Sequence, residues 1–163
     1  QLSRRSEPET VEIQLKEWLS GIVSEYINQR DGLVKINLEI DHPLDTARFD
    51  PGQIEQVLIN LIDNGVRHGT QSNPEAVLTL KLGSVSDGKQ AYIDVIDQGS
   101  GVSDENTQHL FEPFFTTEAQ GTGLGLYLSR EMCEASQAQL DYISTDHAGA
   151  CFRIMFAHHK RIV

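Results

Sequence analysis

The chain is poor in cysteine, in aromatic side chains and in long apolar runs. Only two of its 163 residues are cysteines, and Cys133 and Cys151 stand far apart with no metal-ligand spacing around them. We therefore expect both to be small buried apolar residues, which suits a reducing compartment. The apolar runs all fall short of the roughly 18 residues that cross a bilayer, so no membrane span is predicted. The six histidines are scattered, and the pair His158–His159 is interpreted as solvated tail.

Positive charge is also scarce. Thirteen Lys and Arg residues stand against 24 Asp and Glu residues, for a net charge of −11. A nucleic-acid binder would normally present a basic face, so no nucleic-acid partner is predicted. If the ligand is an anion, it has to be bound through local dipoles or a metal ion. The length and the 39% share of hydrophobic residues are those of one folded domain.

Hydrophobic periodicity predicts a mixture of helices and strands. A helix is expected in "LKEWLSGIVSEYI", with Thr10 as its cap, and a strand in "VKINLEI". Asp50 and Pro51 predict the start of a second helix, which runs to about His68 and ends at Gly69.

The rest of the chain predicts further strands and two more helices. Four segments are expected to be strands, the first two of them as a hairpin: "AVLTLKL", "AYIDVID", "QLDYIST" and "CFRIMFA". A short helix is expected around "DENTQHLF", and another after the glycine-rich "GTGLGL", with Leu124, Leu126, Leu128 and Met132 for packing. This pattern predicts an α+β two-layer sandwich, with helices packed on one face of a mixed, mostly antiparallel sheet.

The second predicted helix has two distinct faces. Its apolar residues share the face that should pack on the sheet: Ile54, Val57, Leu58, Leu61 and Ile62. Polar residues form a narrow stripe beside that face: Gln53, Gln56, Asn60, Asn64 and Arg67. Asn60 and Asn64 are one turn apart, so their amides point the same way. The stripe is either a solvated face or a site where stacked amides and a guanidinium hold a hydrated cation and a phosphate.

An aspartate ends the strand "AYIDVID", and two glycines follow it in "DQGSG". A free carboxylate on Asp97 accepts hydrogen bonds, so it suits an exocyclic amine such as that of adenine. Gly99 and Gly101 would let a ligand lie against bare backbone. The alternative is an ordinary glycine turn.

The segment "GTGLGL" places three glycines at alternate positions ahead of a helix. It lacks the lysine of a P-loop, and it does not show G-x-G-x-x-G after a strand. A flexible segment leading into a helix amino terminus nevertheless offers unpaired N–H groups and the positive end of the helix dipole. We therefore expect phosphate oxygens to approach it.

Five motifs in order resemble the N, G1, F, G2 and G3 boxes of the catalytic ATP-binding domain of sensor histidine kinases: "NLIDNGVRH", "DQGSGV", "FEPFFTT", "GTGLGL" and "AGACFRIMF". The resemblance covers residues 10–157, with 1–9 as the end of a dimerisation helix or a linker and 158–163 as a tail. It implies an α/β sandwich with a mobile lid over ATP.

The resemblance also implies roles for single residues. Asn64 would coordinate Mg²⁺ on the phosphates of ATP, with Asn60 a turn behind it as a further metal and catalytic residue. Arg67 stands where the family usually has a phosphate-contacting lysine, and His68 where it often has a tyrosine at the nucleotide. Asp97 would receive the adenine amine, with Gly99 and Gly101 giving the base close access.

For the lid, the resemblance implies two groups of residues. The aromatic group would anchor the lid and pack on the domain: Phe111, Phe114 and Phe115. The second group would hinge the lid and contact the triphosphate: Gly121, Thr122, Gly123, Leu124 and Gly125. In the G3 region, Gly149 matches, while Ala148 and Ala150 replace residues that are often glycine and threonine. The lid is short, which is typical of kinases of the nitrogen-regulation type, whose partners are often enhancer-binding transcription activators.

Related ATPases carry a glutamate as general base one turn before the metal-binding asparagine. Asn60 occupies that position, and an amide cannot take up a proton at neutral pH, so we expect ATP to be held without rapid hydrolysis, as in a kinase. None of the six histidines has the neighbours of a phosphoacceptor. We therefore expect an excised, monomeric catalytic domain of a homodimeric sensor, cytoplasmic and belonging to an inner-membrane-anchored bacterial protein. It would phosphorylate a histidine on the sensor's dimerisation domain for relay to a response-regulator aspartate. A degenerate nucleotide-binding scaffold and an anti-sigma-type serine kinase are the alternatives.

Overall fold

Helices pack on one face of a five-stranded sheet in the computed structural model, which describes residues 8–41, 46–85, 88–117, 123–146 and 148–157. The helices are α1 (Leu15–Gln29), α2 (Pro51–Ser72), α3 (Asp104–Thr107) and α4 (Gly125–Ala135). The strands are β1 (Val11–Gln14), β2 (Lys35–Ile40), β3 (Thr46–Phe49), β4 (Val77–Val85), β5 (Gln90–Ile96), β6 (Gln139–Tyr142) and β7 (Cys151–Met155).

The main sheet has the strand order β2-β4-β5-β7-β6. β2 and β4 are parallel, and the other three pairings are antiparallel. Alternate residues of β4, β5 and β7 point towards the helices, where they meet the apolar faces of α1 and α2 in a single core. The predicted sandwich with a mixed, mostly antiparallel sheet is confirmed.

A second, two-stranded sheet was not predicted. β1 pairs antiparallel with β3, Val11 opposite Phe49. The prediction that Thr10 caps the first helix is therefore wrong, because Thr10 precedes a strand and α1 begins only at Leu15. Its N-cap residue, Gln14, makes no side-chain capping bond.

α2 begins as predicted but ends later. Asp50 caps it, with Oδ1 accepting from the N–H of Gln53 at 3.1 Å, and Pro51 follows as the first helical residue. The helix continues past Gly69 to Ser72. Gly69 is buried inside the helix, where a Cβ would lie 3.3 Å from Cβ of Ala76, so this glycine serves close packing and does not end the helix.

A polar cluster joins α1 to the middle of α2. The hydroxyl of Tyr26 donates to Oδ1 of Asp63 at 2.6 Å, and Arg30 donates to the same oxygen at 3.3 Å. The Arg30 guanidinium also lies 3.5 Å from the centre of the Tyr26 ring. Burial, followed by the hydrogen bond to Asp63, raises the pKa of Tyr26, so this hydroxyl remains a donor. Among the described residues, none of the helices is long and apolar enough for a membrane span.

Candidate functional site

The polar stripe of α2 divides into two parts with different surroundings. The apolar residues beside it are buried against the sheet, which turns the first part of the stripe towards α4. There Oε1 of Gln53 accepts from the Ser136 hydroxyl at 3.1 Å, and Nδ2 of Asn60 donates to the Ser129 hydroxyl at 2.8 Å. This part is therefore a polar contact between two helices. Neither serine was predicted from the sequence, because their partners lie on a helix far away in the chain.

The second part of the stripe lies towards the carboxyl end of α2. Oδ1 of Asn64 accepts a hydrogen bond of 2.7 Å from the guanidinium of Arg67, one turn further along. Asn64 is half-buried and Arg67 is exposed. An amide oxygen and a positive charge are thus held side by side at the surface, which suits a cation and an anionic group bound together.

Asp97 follows β5 and is nearly buried, with 6% of its surface exposed. Its Oδ1 accepts from the N–H of Gly99 at 2.9 Å and from the N–H of Ala150 at 3.0 Å. Its Oδ2 accepts no hydrogen bond from the residues that the structure describes. Two backbone donors therefore hold this carboxylate rigidly and leave one oxygen for a ligand.

Glycines allow the backbone to close around Asp97. A Cβ on Gly149 would lie 1.8 Å from the carbonyl oxygen of Asp97, and one on Gly101 would lie 2.4 Å from that of Ala148. Gly101 also has a φ of +78°, which L side chains rarely adopt. The segment that contains Gly149 therefore packs directly against the loop after β5.

The same loop touches α2, so the two predicted halves of the site come together. A Cβ on Gly65 would be 3.5 Å from Cβ of Asp97. A Cβ on Gly99 would be 3.0 Å from the backbone carbonyl of His68. The asparagine and arginine of α2 are thus on the helix that contacts the Asp97 loop. The sequence contained no separate signal for Gly65.

The phenylalanines before the lid do not all behave as predicted. Phe115 packs against the core. Phe111 lies beneath the Arg130 guanidinium, whose Cζ is 4.0 Å from the ring centre, and its ring is nearly perpendicular to that of Phe152. Phe114 is different: it is 74% exposed and has a φ of +67°. The expectation that its ring packs on the domain is wrong. Its backbone instead ties the segment down, since its N–H donates to the carbonyl of Gly123 at 3.0 Å.

Gly121 and Thr122 lie outside the described residues, but the end of the glycine-rich segment is described. Gly123 has a φ of +72°, and a Cβ there would be 2.3 Å from the carbonyl carbon of Phe114. Gly125 is helical, and a Cβ there would be 3.2 Å from Nδ2 of Asn60. Leu124 between them is the N-cap residue of α4. Gly123 is therefore required by the backbone of Phe114, whereas a side chain at Gly125 would crowd the amide of Asn60.

The described residues contain no cluster of three or more His, Cys, Asp or Glu side chains suited to a metal ion. A divalent ion at this site would therefore depend on amide oxygens and on oxygens of the ligand. Magnesium suits such a site, since it takes oxygen ligands and usually keeps several waters beside substrate phosphates.

Comparison with known families decides the class of the domain. The model of the histidine kinase-, DNA gyrase B- and HSP90-like ATPases matches residues 49–160. The chain belongs to this ATPase family. Its nucleotide is therefore ATP, as predicted, and the matched range contains the polar stripe, the Asp97 loop and the glycine-rich segment.

Sensor kinases are among the relatives of this ATPase domain. The sensor protein kinase PilS of Pseudomonas aeruginosa is 43% identical over 99% of the chain. The stretches "GTGLGLYLSREMCEASQAQLDY" and "GACFRI" predict kinship with the sensor kinase that controls type IV pilus genes, and this prediction is confirmed. The chain spans 31% of PilS and smaller shares of other sensor kinases that it matches.

Solved structures confirm the fold. The catalytic domain of histidine kinase ThkA has a TM-score of 0.76 at 24% identity, covering 92% of this chain and 96% of its own. Full-length ShkA, solved in complex with AMPPNP, has a TM-score of 0.75 at 24% identity, covering 93% of this chain and 32% of its own.

Proposed function

We propose that this chain is the catalytic domain of a two-component sensor histidine kinase. It binds Mg·ATP and transfers the γ-phosphate to a histidine on a separate dimerisation domain, for relay to an aspartate of a response regulator. The observation that carries the proposal is the carboxylate of Asp97, of which only Oδ1 is hydrogen-bonded to the described residues. It is fixed by two backbone donors, has one oxygen left for an amine, and lies against the helix that carries Asn64 and Arg67.

Adenine recognition follows from this arrangement. The exocyclic amine donates to Oδ2 of Asp97, and the base lies against Gly99 and Gly101, with His68 beside them. Guanine carries a carbonyl where adenine carries its amine, so two acceptors would face each other, and a buried acceptor without a donor is costly. The lid residues complete the nucleotide site: Phe114, Phe115, Gly121, Thr122, Gly123, Leu124 and Gly125.

The triphosphate end is assigned to the carboxyl half of α2. Asn64, supported by Asn60, would supply amide oxygens to a magnesium ion, and the ion would neutralise negative charge on the phosphates. Arg67 now donates to Oδ1 of Asn64. Phosphate oxygens attract the guanidinium more strongly than a neutral amide does, so ATP would draw Arg67 away and free Oδ1 for the ion.

The acidic side chain next to Asn64 on α2 is hydrogen-bonded to groups at the carboxyl end of α1. Asp63 precedes Asn64, and its Oδ1 accepts from Tyr26 of α1 and from Arg30, the residue that follows α1. Asn60 is an amide and takes up no proton at neutral pH. This supports slow hydrolysis and phosphate transfer to a protein nucleophile.

The finer assignments are part of the same proposal. Residues 10–157 form the catalytic domain, 1–9 the end of a dimerisation helix or a linker, and 158–163 a tail. The fragment is a monomer, and the whole protein is a homodimeric bacterial sensor anchored in the inner membrane, with this domain in the cytoplasm. Kinship with PilS supports type IV pilus genes as the regulated target and an enhancer-binding activator as the response regulator.

A transfer assay tests the activity. The domain is mixed with γ-labelled ATP, MgCl₂ and a separately produced dimerisation domain. Acid-labile, alkali-stable label on that partner is expected, since phosphohistidine has this stability. Nucleotide binding without transfer would favour a degenerate scaffold, and acid-stable label would favour a serine kinase of the anti-sigma type.

Calorimetry tests the site itself. Asn64→Ala should lose the magnesium-dependent part of ATP affinity and keep the metal-free part. Asp97→Ala should weaken adenine nucleotides in MgCl₂ and in EDTA alike, by about tenfold or more, because a charge-assisted hydrogen bond is lost. If both variants bind ATP as the parent does, the assignment of Asn64 and Asp97 to the nucleotide site is wrong.

A further inference from the structure

Ser129 holds the amide of Asn60 from the facing helix. Ser129 is buried, with 3% of its surface exposed. Its hydroxyl accepts a hydrogen bond of 2.8 Å from Nδ2 of Asn60, which also donates to the carbonyl oxygen of Gly125 at 3.1 Å. An amide nitrogen has two N–H donors, so α4 occupies both of them.

This arrangement fixes which way the amide faces. The carbonyl of Gly125 can only accept, so Nδ2 must be the atom that lies against α4. The other amide atom, Oδ1, accepts no hydrogen bond from the residues that the structure describes. The result is an oriented acceptor oxygen that the described part of the chain leaves unused, on a residue one helical turn from Asn64.

We propose that Ser129 is a positioning residue for the cation site, holding Asn60 so that its Oδ1 is presented, beside Asn64, to the hydrated magnesium ion of Mg·ATP. The inference rests on the proposed function. Without the serine hydroxyl, the amide has one partner left on α4 and rotates more freely, so the oxygen is presented only part of the time. The same hydrogen bonds tie the start of α4, which follows the glycine-rich segment, to the metal-binding part of α2.

The chain contains a matched control for this idea. Ser136 is also a buried serine at α4, 1% exposed, and its hydroxyl also bonds a side chain of α2, Oε1 of Gln53. Gln53 is nearly two helical turns before Asn60 and is remote from Asn64. Ser136→Ala therefore measures how much ATP affinity is lost when a serine hydrogen bond between the two helices is removed away from the cation site.

The test is calorimetry of ATP binding by the full chain, in excess MgCl₂ and in EDTA. Ser129→Ala should weaken binding in MgCl₂ by about three- to tenfold, the equivalent of one hydrogen bond, and leave binding in EDTA unchanged. Ser129→Cys should show the same loss, because it fills the space of serine with a poor acceptor. Ser136→Ala should bind like the parent in both conditions.

Three outcomes would overturn the inference. In the first, Ser129→Ala binds Mg·ATP as tightly as the parent while Asn64→Ala loses the magnesium-dependent part of the affinity. The proposed function then stands, and this inference alone fails. Another is recovery in Ser129→Cys, which would assign the loss to an unfilled volume. The third is an equal loss in Ser136→Ala, which would assign it to helix packing. If Asn64→Ala itself keeps the magnesium effect, the proposed function fails first.

Discussion

At the scale of single residues, the site depends on backbone contacts that only glycine permits. A Cβ on Gly149 would lie 1.8 Å from the carbonyl oxygen of Asp97. The next residue, Ala150, donates its N–H to Oδ1 of Asp97 and accepts from the Asp97 N–H through its own carbonyl. Any displacement of Gly149 therefore moves a donor of the carboxylate. The glycine pattern predicted close access for a ligand, whereas this contact is within the protein.

Replacing this glycine should damage both stability and binding. Gly149→Ala is expected to lower the free energy of unfolding by about 1–3 kcal/mol, because the new methyl group has no room, and to weaken ADP binding. Gly21→Ala is the control: Gly21 is exposed in α1 with nothing within 4 Å of its Cβ position. It should raise stability by about 0.5–1 kcal/mol and leave ADP binding unchanged. Urea unfolding and calorimetry measure the two quantities, and parental ADP affinity in Gly149→Ala would contradict the prediction.

At the scale of elements, Asp50 connects the incoming segment to the helix of the site. Its Oδ1 caps α2 at the N–H of Gln53, and its Oδ2 accepts from the N–H of Glu9 at 3.0 Å. Glu9 lies just before β1, which pairs with β3 directly ahead of Asp50. One carboxylate therefore supports both the two-stranded sheet and the start of α2.

Two substitutions separate these roles. Asp50→Asn keeps one oxygen for the cap but has no second acceptor for Glu9, so hydrogen exchange in β1 should become faster while the first turn of α2 stays protected. Asp50→Ala should remove both hydrogen bonds and lower the free energy of unfolding by about 1 kcal/mol. Exchange measured by mass spectrometry or NMR resolves the two regions. Unchanged protection of β1 in Asp50→Asn would show that the Glu9 bond contributes nothing.

Short sequence patterns predicted the elements that are determined by a few neighbouring residues. The start of α2 follows from a cap and a proline, and the β4–β5 hairpin follows from alternation and a short connection. The pairing of β1 with β3 was missed because these four-residue strands lie more than 30 residues apart. Leu128 was expected to pack but is 43% exposed, since α4 turns Ser129 and Cys133 inward instead. Contacts between distant elements, such as Asn60 with α4, leave no periodic pattern to detect.

At the scale of the whole molecule, this strongly acidic chain places oppositely charged side chains next to one another on the main sheet. One row crosses all five strands of the main sheet: Glu39, Lys81, Asp94, Arg153 and Asp141. At its centre is a bidentate salt bridge, in which Arg153 donates to both oxygens of Asp94 at 2.7 and 2.9 Å. Asp94 is 4% exposed, so removing its partner would leave a buried charge. The row offsets local repulsion on the face of the main sheet that points away from the helices.

The buried thiols make global stability sensitive to alkaline pH. Burial, the largest cause, raises the pKa of Cys133 and of Cys151 from 9.0 to about 12, and Asp94 adds to the effect at Cys151. Below pH 9 both thiols are protonated in the folded and unfolded chains, so their contribution to stability is fully present. Between pH 9 and 12 the unfolded chain releases protons that the folded chain keeps, so stability falls as pH rises, by at most about 1.4 kcal/mol per pH unit for each thiol. Tyr26, whose pKa is also raised, adds a loss of the same sign above about pH 10.

Urea unfolding between pH 7 and pH 10.5 should show this decline. Replacing both thiols, Cys133→Ala with Cys151→Ala, should lower stability at pH 7 through lost packing but make the decline shallower. Val57→Ala, which removes buried apolar volume and no titratable group, should lower stability by a similar amount at every pH. If the double cysteine variant and Val57→Ala decline in parallel, the thiols do not cause the alkaline loss, and the remaining slope belongs to Tyr26 and the charged groups of the sheet.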